Sequence, residues 1–345
     1  NSAYVAISGA HVSGRNSQAV VAISEGEVQR SDIARVIDAA KSGPIPTDQQ
    51  ILHILPQEYV VDGQSDVRDP MGMSGVRLEG HVHLMTCSIN ARQNLEKCVR
   101  ECDIDINELV FQQLASSYAV LTEDEKEHGI CFVDIGGGTT DIVIFKNGAI
   151  RHTVVFPVGG DQVTNDIATA FYTPTQDADV IKIKYASAVA HLVSQDDVIE
   201  VSGMGDRPAR KLSRQTLAEV VEPRYEEIFQ LVNEEINRSG YAGKLTAGVV
   251  LTGGASRIEG AQYLAESIFH MPVRVGMPKS LRVGGMGEVL NNPVYSTGVG
   301  LLLYGKQFAS DNHRVVGTEE NGFMDFFKKL GEWFAGIKAY FARNF

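Results

Sequence analysis

Apolar residues form short runs around a glycine-rich turn near the middle of the chain. The first run is Ile130–Ile135, the turn holds three successive glycines, and a second run covers residues 141–145. An Asn147-Gly148 pair then leads into a third run at residues 149–156. Short apolar runs separated by such turns are typical of antiparallel strands. The pattern therefore predicts a tight three-stranded meander.

Another apolar run, at residues 247–252, lies farther along the chain. It ends at Gly253-Gly254 and precedes a helical pattern over residues 257–269. A glycine pair at such a position lets the backbone approach a ligand closely, but it serves tight packing of helix on strand about as often. A long helix is predicted over residues 215–237. Pro223 lies inside it and predicts a kink or a break.

The three glycines of the central turn leave backbone N–H groups uncovered, as in anion-binding nests. Asp134 before the turn and Asp141 after it carry acceptor-only groups that suit the water shell of Mg²⁺. The residues therefore favour a phosphate-binding hairpin. The alternative is a glycine hairpin tip flanked by two solvated acids.

Length, net charge and the placement of the cysteines limit the classes of protein to which this chain can belong. The 345 residues exceed what one core usually holds, so two or more domains are expected. The net charge is −12, with 43 acidic against 31 basic residues, which argues against nucleic acid as a partner. The four cysteines are scattered, which favours a reducing compartment and no metal set.

Two common nucleotide signatures are absent from the sequence. No G-x-x-x-x-G-K-[ST] occurs, which excludes a P-loop NTPase, and no G-x-G-x-x-G follows a strand, which disfavours a Rossmann dinucleotide site.

Three segments resemble motifs of the actin/Hsp70/sugar-kinase superfamily. Residues 133–142 (VDIGGGTTDI) are similar to its second phosphate loop, and residues 251–258 (LTGGASRI) to its adenosine motif. Residues 177–184 (DADVIKIK) resemble the helix that contacts ribose and adenine. Within the superfamily, four more segments resemble the FtsA family of bacterial cell-division proteins: 55–59 (LPQEY), 72–78 (GMSGVRL), 114–118 (LASSY) and 217–225 (LAEVVEPRY).

The resemblance implies an α/β, actin-like ATPase fold of two lobes with inserted small subdomains, one of them α+β. It implies an inserted subdomain at 1–88, the rest of the first lobe with the second phosphate loop at 89–150, a second lobe at 151–185 and 247–292 with a small subdomain at 186–246, a C-terminal helix of the first lobe at 293–308, and a linker at 309–322. The family's first phosphate-loop strands have no counterpart before Asn1. Weaker ATP binding than in a relative with those strands is therefore expected.

The resemblance also implies site residues for ATP and Mg²⁺. Asp134 would orient Mg²⁺ or its waters and would be the candidate catalytic residue. The nucleotide would be held by Gly136, Gly137, Gly138, Thr139, Gly159, Gly160, Asp179, Lys182, Gly253, Gly254, Ser256 and Arg257. Asp179 stands where related actins often have Glu, and its shorter side chain disfavours a direct ribose contact.

The last 23 residues, 323–345, form an aromatic stripe at helical spacing. Its charges exclude a membrane-spanning helix and favour one lying in the membrane interface, attracted to anionic lipid. The alternative is a terminal helix docked on the protein's own core. The predicted membrane contacts are Phe326, Phe327, Lys328, Lys329, Leu330, Trp333, Phe334, Ile337 and Phe341.

By resemblance, the chain is an ATP-binding, polymerising actin homologue on the cytoplasmic side of the inner membrane at the division septum. It would tether the FtsZ ring through the FtsZ C-terminal peptide, received by residues 186–246, and contact FtsN-type divisome proteins through residues 5–88. Slow ATP hydrolysis is left open. The alternatives are a small-molecule kinase of the superfamily, for which no base and acceptor pocket stand out, and a pilus-assembly actin homologue.

Overall fold

The computed structural model describes residues 2–205, 207–279 and 290–313. The predicted membrane segment 323–345 and most of the predicted linker lie outside the described residues.

The strands are β1 (Ser2–Ile7), β2 (Ser13–Ala22), β3 (Gln49–Val61), β4 (Gln64–Val67), β5 (Arg77–Ser88), β6 (Asp105–Phe111), β7 (Ile130–Ile135), β8 (Thr140–Lys146), β9 (Ala149–Phe156), β10 (Val198–Val201), β11 (Arg210–Ser213), β12 (Val249–Thr252) and β13 (Val273–Val275). The helices are α1 (Arg30–Lys41), α2 (Ile89–Arg100), α3 (Gln112–Val120), α4 (Glu123–His128), α5 (Gly160–Phe171), α6 (Thr175–Tyr185), α7 (Arg214–Arg238), α8 (Ala261–Phe269) and α9 (Ser296–His313).

A five-stranded sheet in the order β13-β12-β7-β8-β9 forms the centre of the molecule. The predicted meander is confirmed as β7, β8 and β9, which pair antiparallel. Because the side chains of a strand alternate between its two faces, β7 contributes side chains to two separate hydrophobic cores. Cys131, Val133 and Ile135 pack with α5 to α8 on one face. Ile130 and Phe132 pack with β1, β6, α3 and α9 on the other.

The predicted boundary between the lobes, at residues 150 and 151, falls within β9. β8 and β9 are neighbours in one sheet, and β12 pairs parallel with β7, with Thr252 opposite Asp134. The segments that resemble the second phosphate loop and the adenosine motif therefore lie on one sheet. Local sequence patterns do not reveal this, because β7 and β12 pair across more than a hundred residues.

The inserted segment builds a separate antiparallel sheet in the order β2-β5-β3-β4, with α1 packed on it. Val36 of α1 and Leu78 of β5 are fully buried in its core. β1 lies outside this sheet and pairs parallel with β6.

The helix α7 runs without interruption through Pro223, so the predicted break does not occur. Leu217, Val221, Tyr225 and Ile228 of this helix are all buried in the core. Their burial offsets the roughly 3 kcal/mol that a proline costs inside a helix.

The last described helix, α9, reaches His313, past the predicted start of the linker at residue 309. Residues 309–313 contain neither Gly nor Pro, so nothing in them stops a helix. Among the described residues, every helix is too short or too polar to span a lipid bilayer.

Two glycines of α9 offer a matched test of the packing of α9 on α3. A Cβ at Gly300 would overlap the Ala115 carbonyl, whereas a Cβ at Gly298 meets no atom within 4 Å. We expect Gly300→Ala to destabilise the protein by roughly 1–3 kcal/mol. Gly298→Ala should instead stabilise it by up to about 1 kcal/mol, because alanine favours the helix. Urea unfolding measures both, and equal effects of the two substitutions would contradict this packing.

Candidate functional site

The turn between β7 and β8 presents main-chain amides to solvent. The Gly136 N–H donates to the Thr139 carbonyl (2.9 Å), which closes the loop. Within the described parts of the chain, the N–H groups of Gly137, Gly138 and Thr139 have no hydrogen-bond acceptor. Successive free N–H groups form a small concave site for an anion. The loop therefore has the chemistry that the three glycines predicted.

The N-terminal end of α5 packs directly on this loop. Gly160 N–H donates to the Gly136 carbonyl (2.9 Å), and Asp161 N–H donates to the Gly137 carbonyl (2.8 Å). The Gly159 N–H donates to Gln162 Oε1 (2.8 Å). This corrects the expectation that Gly159 and Gly160 offer their amides to phosphate, because both amides are already bonded within the protein. Their role is to hold the loop.

The second glycine turn lies directly beside the first. Gly253 has a φ of +87°, and a Cβ there would overlap the Asp134 carboxylate and the Ile135 carbonyl. Only glycine combines that conformation with that approach. A short 3₁₀ helix, Gly254–Arg257, follows, and the buried Ser256 hydroxyl donates to the Gly253 carbonyl (2.8 Å). Ser256 thus fixes the turn.

Both turns border one cavity of about 460 Å³. Gly136, Gly137, Gly160, Lys182, Gly254 and Arg257 are the predicted site residues that line it. Four basic side chains and one acidic side chain, Glu259, face it, although the chain as a whole is acidic. A cleft with one dominant sign of charge attracts ligands of the opposite sign. The cavity suits an anionic ligand.

Lys182 and Asp179 differ in their relation to this cavity. The Lys182 ammonium contacts the Gly160 carbonyl (3.1 Å), Thr164 Oγ1 (2.6 Å) and the Asp179 carboxylate (2.7 Å). Asp179 is not one of the described residues that line the cavity. Its carboxylate pairs with Lys182 instead, so its effect on a ligand is indirect.

Two carboxylates lie side by side beneath the loop. Asp134 and Asp141 occupy opposite positions on β7 and β8, and both are buried. Burial raises the pKa of Asp134 to about 6. Burial, together with the neighbouring charge of Asp134, raises the pKa of Asp141 to about 7. Hydrogen bonds from Ser8 (2.7 Å) and Thr139 (2.8 Å) to Asp141 oppose that rise.

The structure adds residues that the motifs did not indicate. Ser116 of α3 donates to Asp134 (3.2 Å), and Tyr225 of α7 lines the cavity and donates to the Ala255 carbonyl (2.7 Å). Arg214 and Glu259 also line it. Ser116 and Tyr225 lie within the segments 114–118 and 217–225, which indicated no role for them, and Arg214 and Glu259 lie outside the motifs. Only the folded structure brings the four together.

The residues fit a nucleotide with several phosphates. The free amides of the loop suit phosphate oxygens, and Arg257 is exposed, with no ion-pair or hydrogen-bond partner in the described parts. For Mg²⁺ the described residues offer fewer ligand atoms than they offer to phosphate. Asp134 lies behind the loop, and no group of three or more potential metal ligands occurs among the described residues. A contact through water suits Asp134 better than direct coordination.

Comparison with known proteins decides the family. A family profile described as "Cell division protein FtsA" matches residues 131–300, and one described as "SHS2 domain inserted in FTSA" matches residues 9–86. The cell division protein FtsA of Pseudomonas aeruginosa is 60% identical over 90% of this chain and 74% of its own length. The chain belongs to the FtsA family. FtsA of Escherichia coli is 45% identical over 96% of this chain and 81% of its own length.

Solved structures agree with the actin-like fold expected for FtsA. A PilM–PilN type IV pilus biogenesis complex is similar at a TM-score of 0.59 and 16% identity, over 88% of this chain and 80% of that chain. MreB5 of Spiroplasma citri bound to ADP is similar at a TM-score of 0.54 and 18% identity, over 66% of this chain and 68% of that chain. The α/β, actin-like fold is confirmed, and family membership supports a role in cell division.

The carboxylate pair predicts a pH dependence of stability. The pKa of Asp141 is raised to about 7 in the folded protein, against about 3.9 for an unfolded aspartate. Between these values the folded state binds more protons, so the free energy of unfolding falls as pH rises. Asp141→Asn removes the part of this decrease in the free energy of unfolding that comes from Asp141. Its melting temperature relative to the parent should therefore be higher at about pH 8 than at about pH 4.5.

The exposed Asp103→Asn is the matched control and should show no such trend. A melting-temperature difference for Asp141→Asn that is the same at both pH values would contradict the raised pKa.

Proposed function

We propose that this FtsA-family chain binds ATP with Mg²⁺ in the cavity between the two glycine turns. The observation that carries the proposal is that the glycine loop, through Gly136 and Gly137, and the Gly254–Arg257 turn line one cavity, beside the free amides of residues 137–139. The volume of about 460 Å³ lies within the range of small-molecule sites. The proposal names ATP because the turns resemble the phosphate and adenosine motifs of the superfamily.

The residues divide the work of holding the nucleotide. The loop amides hold phosphate oxygens, and Lys182, which contacts the Gly160 carbonyl next to the loop, adds a positive charge. Arg257 stacks on the base, as a planar guanidinium does. Bound Mg²⁺ would neutralise phosphate charge, and Asp134 would orient its waters from behind the loop. Any hydrolysis is slow, with Asp134 as the candidate catalytic residue.

We further propose that the chain self-associates into filaments at the division site and holds the FtsZ ring at the cytoplasmic face of the inner membrane. Membership of the FtsA family and the aromatic stripe in residues 323–345 support this proposal. Anionic lipid is the partner of that stripe, while the FtsZ C-terminal peptide and FtsN-type proteins are the protein partners. Linked copies bind a membrane more tightly than one copy, so self-association favours attachment.

Lys182→Met tests the nucleotide site. Loss of one charge-assisted contact costs about 1.5–3 kcal/mol, so the Kd for ATP measured by calorimetry should rise roughly 10- to 100-fold. Lys97→Met is the control, because Lys97 is exposed on α2 and does not line the cavity. Failure of the parent chain to bind ATP would refute the proposal outright.

Trp333→Glu tests the membrane segment. A charge in the apolar face should abolish most co-sedimentation with vesicles that contain anionic lipid. Leu192→Glu, at a residue half-exposed on the small subdomain, is the control and should sediment like the parent. Equal binding of parent and Trp333→Glu would show that this face does not enter the membrane.

A further inference from the structure

The side chain of Arg214 joins three parts of the molecule at the wall of the cavity. Arg214 is the first residue of α7 and lines the cavity directly. Its Nε donates to the carbonyl of Tyr185, the last residue of α6 (2.6 Å). Another nitrogen of the same guanidinium contacts the Glu259 carboxylate, just beyond the 3₁₀ helix Gly254–Arg257. The Arg214 side chain therefore connects α7 to the end of α6 and to the segment that follows the 3₁₀ helix.

Arg214 is also bonded to the start of the β10-β11 hairpin, another part of the small subdomain. The Arg214 N–H donates to the Asp197 carbonyl (2.6 Å), and a guanidinium nitrogen lies 3.9 Å from the Asp197 carboxylate. Asp197 immediately precedes β10, which pairs with β11 next to the start of α7. A movement of this hairpin therefore acts directly on Arg214.

The chain segment that enters the small subdomain runs along the same contact. The Ala188 N–H donates to the Glu259 carbonyl (2.8 Å), and the Ser187 hydroxyl also donates to it (3.3 Å). Tyr185, Ser187 and Ala188 thus pass directly beside Glu259. On the side of the cavity, Arg214 holds the same two segments together, because its guanidinium binds both Tyr185 and Glu259.

Both elements bound by Arg214 lead to residues that face the ligand. Lys182 lies one turn before Tyr185 on α6, and Arg257 lies two positions before Glu259. Tyr225, three turns along α7, holds the Ala255 carbonyl of the same 3₁₀ helix (2.7 Å). α7 therefore contacts the region of residues 254–259 at two separate points, through Tyr225 and through Arg214. Of these two residues, Arg214 also reaches α6.

We propose that Arg214 is a positioning residue that couples nucleotide occupancy of the cavity to the placement of the small subdomain, residues 186–246. The inference rests on the proposed nucleotide binding. A ligand that fixes Lys182 and Arg257 also fixes Tyr185 and Glu259, and Arg214 passes that constraint to Asp197 and the β10-β11 hairpin. In return, a displaced hairpin loosens the cavity walls and weakens binding, since coupling between sites is reciprocal.

The chemistry requires arginine at this position. A guanidinium presents several donors in a fixed planar fork, so it holds a carbonyl and a carboxylate at the same time. A lysine ammonium keeps the charge but lacks the fork. Arg214→Lys therefore separates a general effect of positive charge in the cavity from the specific link between Tyr185 and Glu259.

The test uses the full chain, calorimetry with Mg-ATP, and hydrogen exchange over residues 187–201. In the parent, ATP should slow exchange in this segment. Arg214→Lys should raise the Kd for ATP at least about fivefold and abolish most of the ATP-dependent slowing. Arg238→Lys, at the other end of the same helix, keeps its charge beside Glu235 and should behave like the parent.

A purely structural role for Arg214 would lower the melting temperature yet leave the ATP-dependent slowing intact, and that result would overturn the inference alone. A parent that binds no ATP would overturn the proposed function and the coupling with it. If Arg214→Lys unfolds, Glu259→Gln replaces it. This variant keeps the side-chain volume, removes the charged partner of Arg214, and should show the same loss of slowing.

Discussion

The hydrogen bonds between the glycine loop and the start of α5 are the constraint on which the site depends. Gly160 and Asp161 donate to the carbonyls of Gly136 and Gly137, at 2.9 and 2.8 Å. A Cβ at Gly159 would lie 2.6 to 2.7 Å from those same carbonyls, so the approach requires glycine. Because these bonds engage the loop carbonyls with α5, the N–H groups of residues 137–139 stay free for an anion.

The surroundings of the loop reinforce this arrangement. β12 pairs with β7 so that Thr252 lies opposite Asp134, which brings Gly253 against the Asp134 carboxylate. The Thr252 hydroxyl shares a hydrogen bond with Ser296 at the start of α9 (2.7 Å). The sheet, the Gly253 turn and the start of α9 therefore contact one another next to Gly254 and Val294, which line the cavity. This packing explains why a small site depends on residues from distant parts of the chain.

The sequence carries the local features of this site but only part of its assembly. The meander and both glycine turns follow from apolar runs and turn residues, because strands and turns are local structures. The pairing of β12 with β7 and the placement of Arg214 beside Tyr185 depend on contacts between distant segments. The sequence does not reveal that the Gly160 N–H is already bonded, for a related reason. Its acceptor, the Gly136 carbonyl, lies in another element, and no motif shows that the two meet.

The most direct test of the account is a crystal structure of this chain with Mg²⁺ and a non-hydrolysable ATP analogue. The account predicts phosphate oxygens within hydrogen-bond distance of the N–H groups of residues 137–139, and the base beside Arg257. An analogue bound elsewhere, or phosphates that leave those amides without a partner, would contradict it.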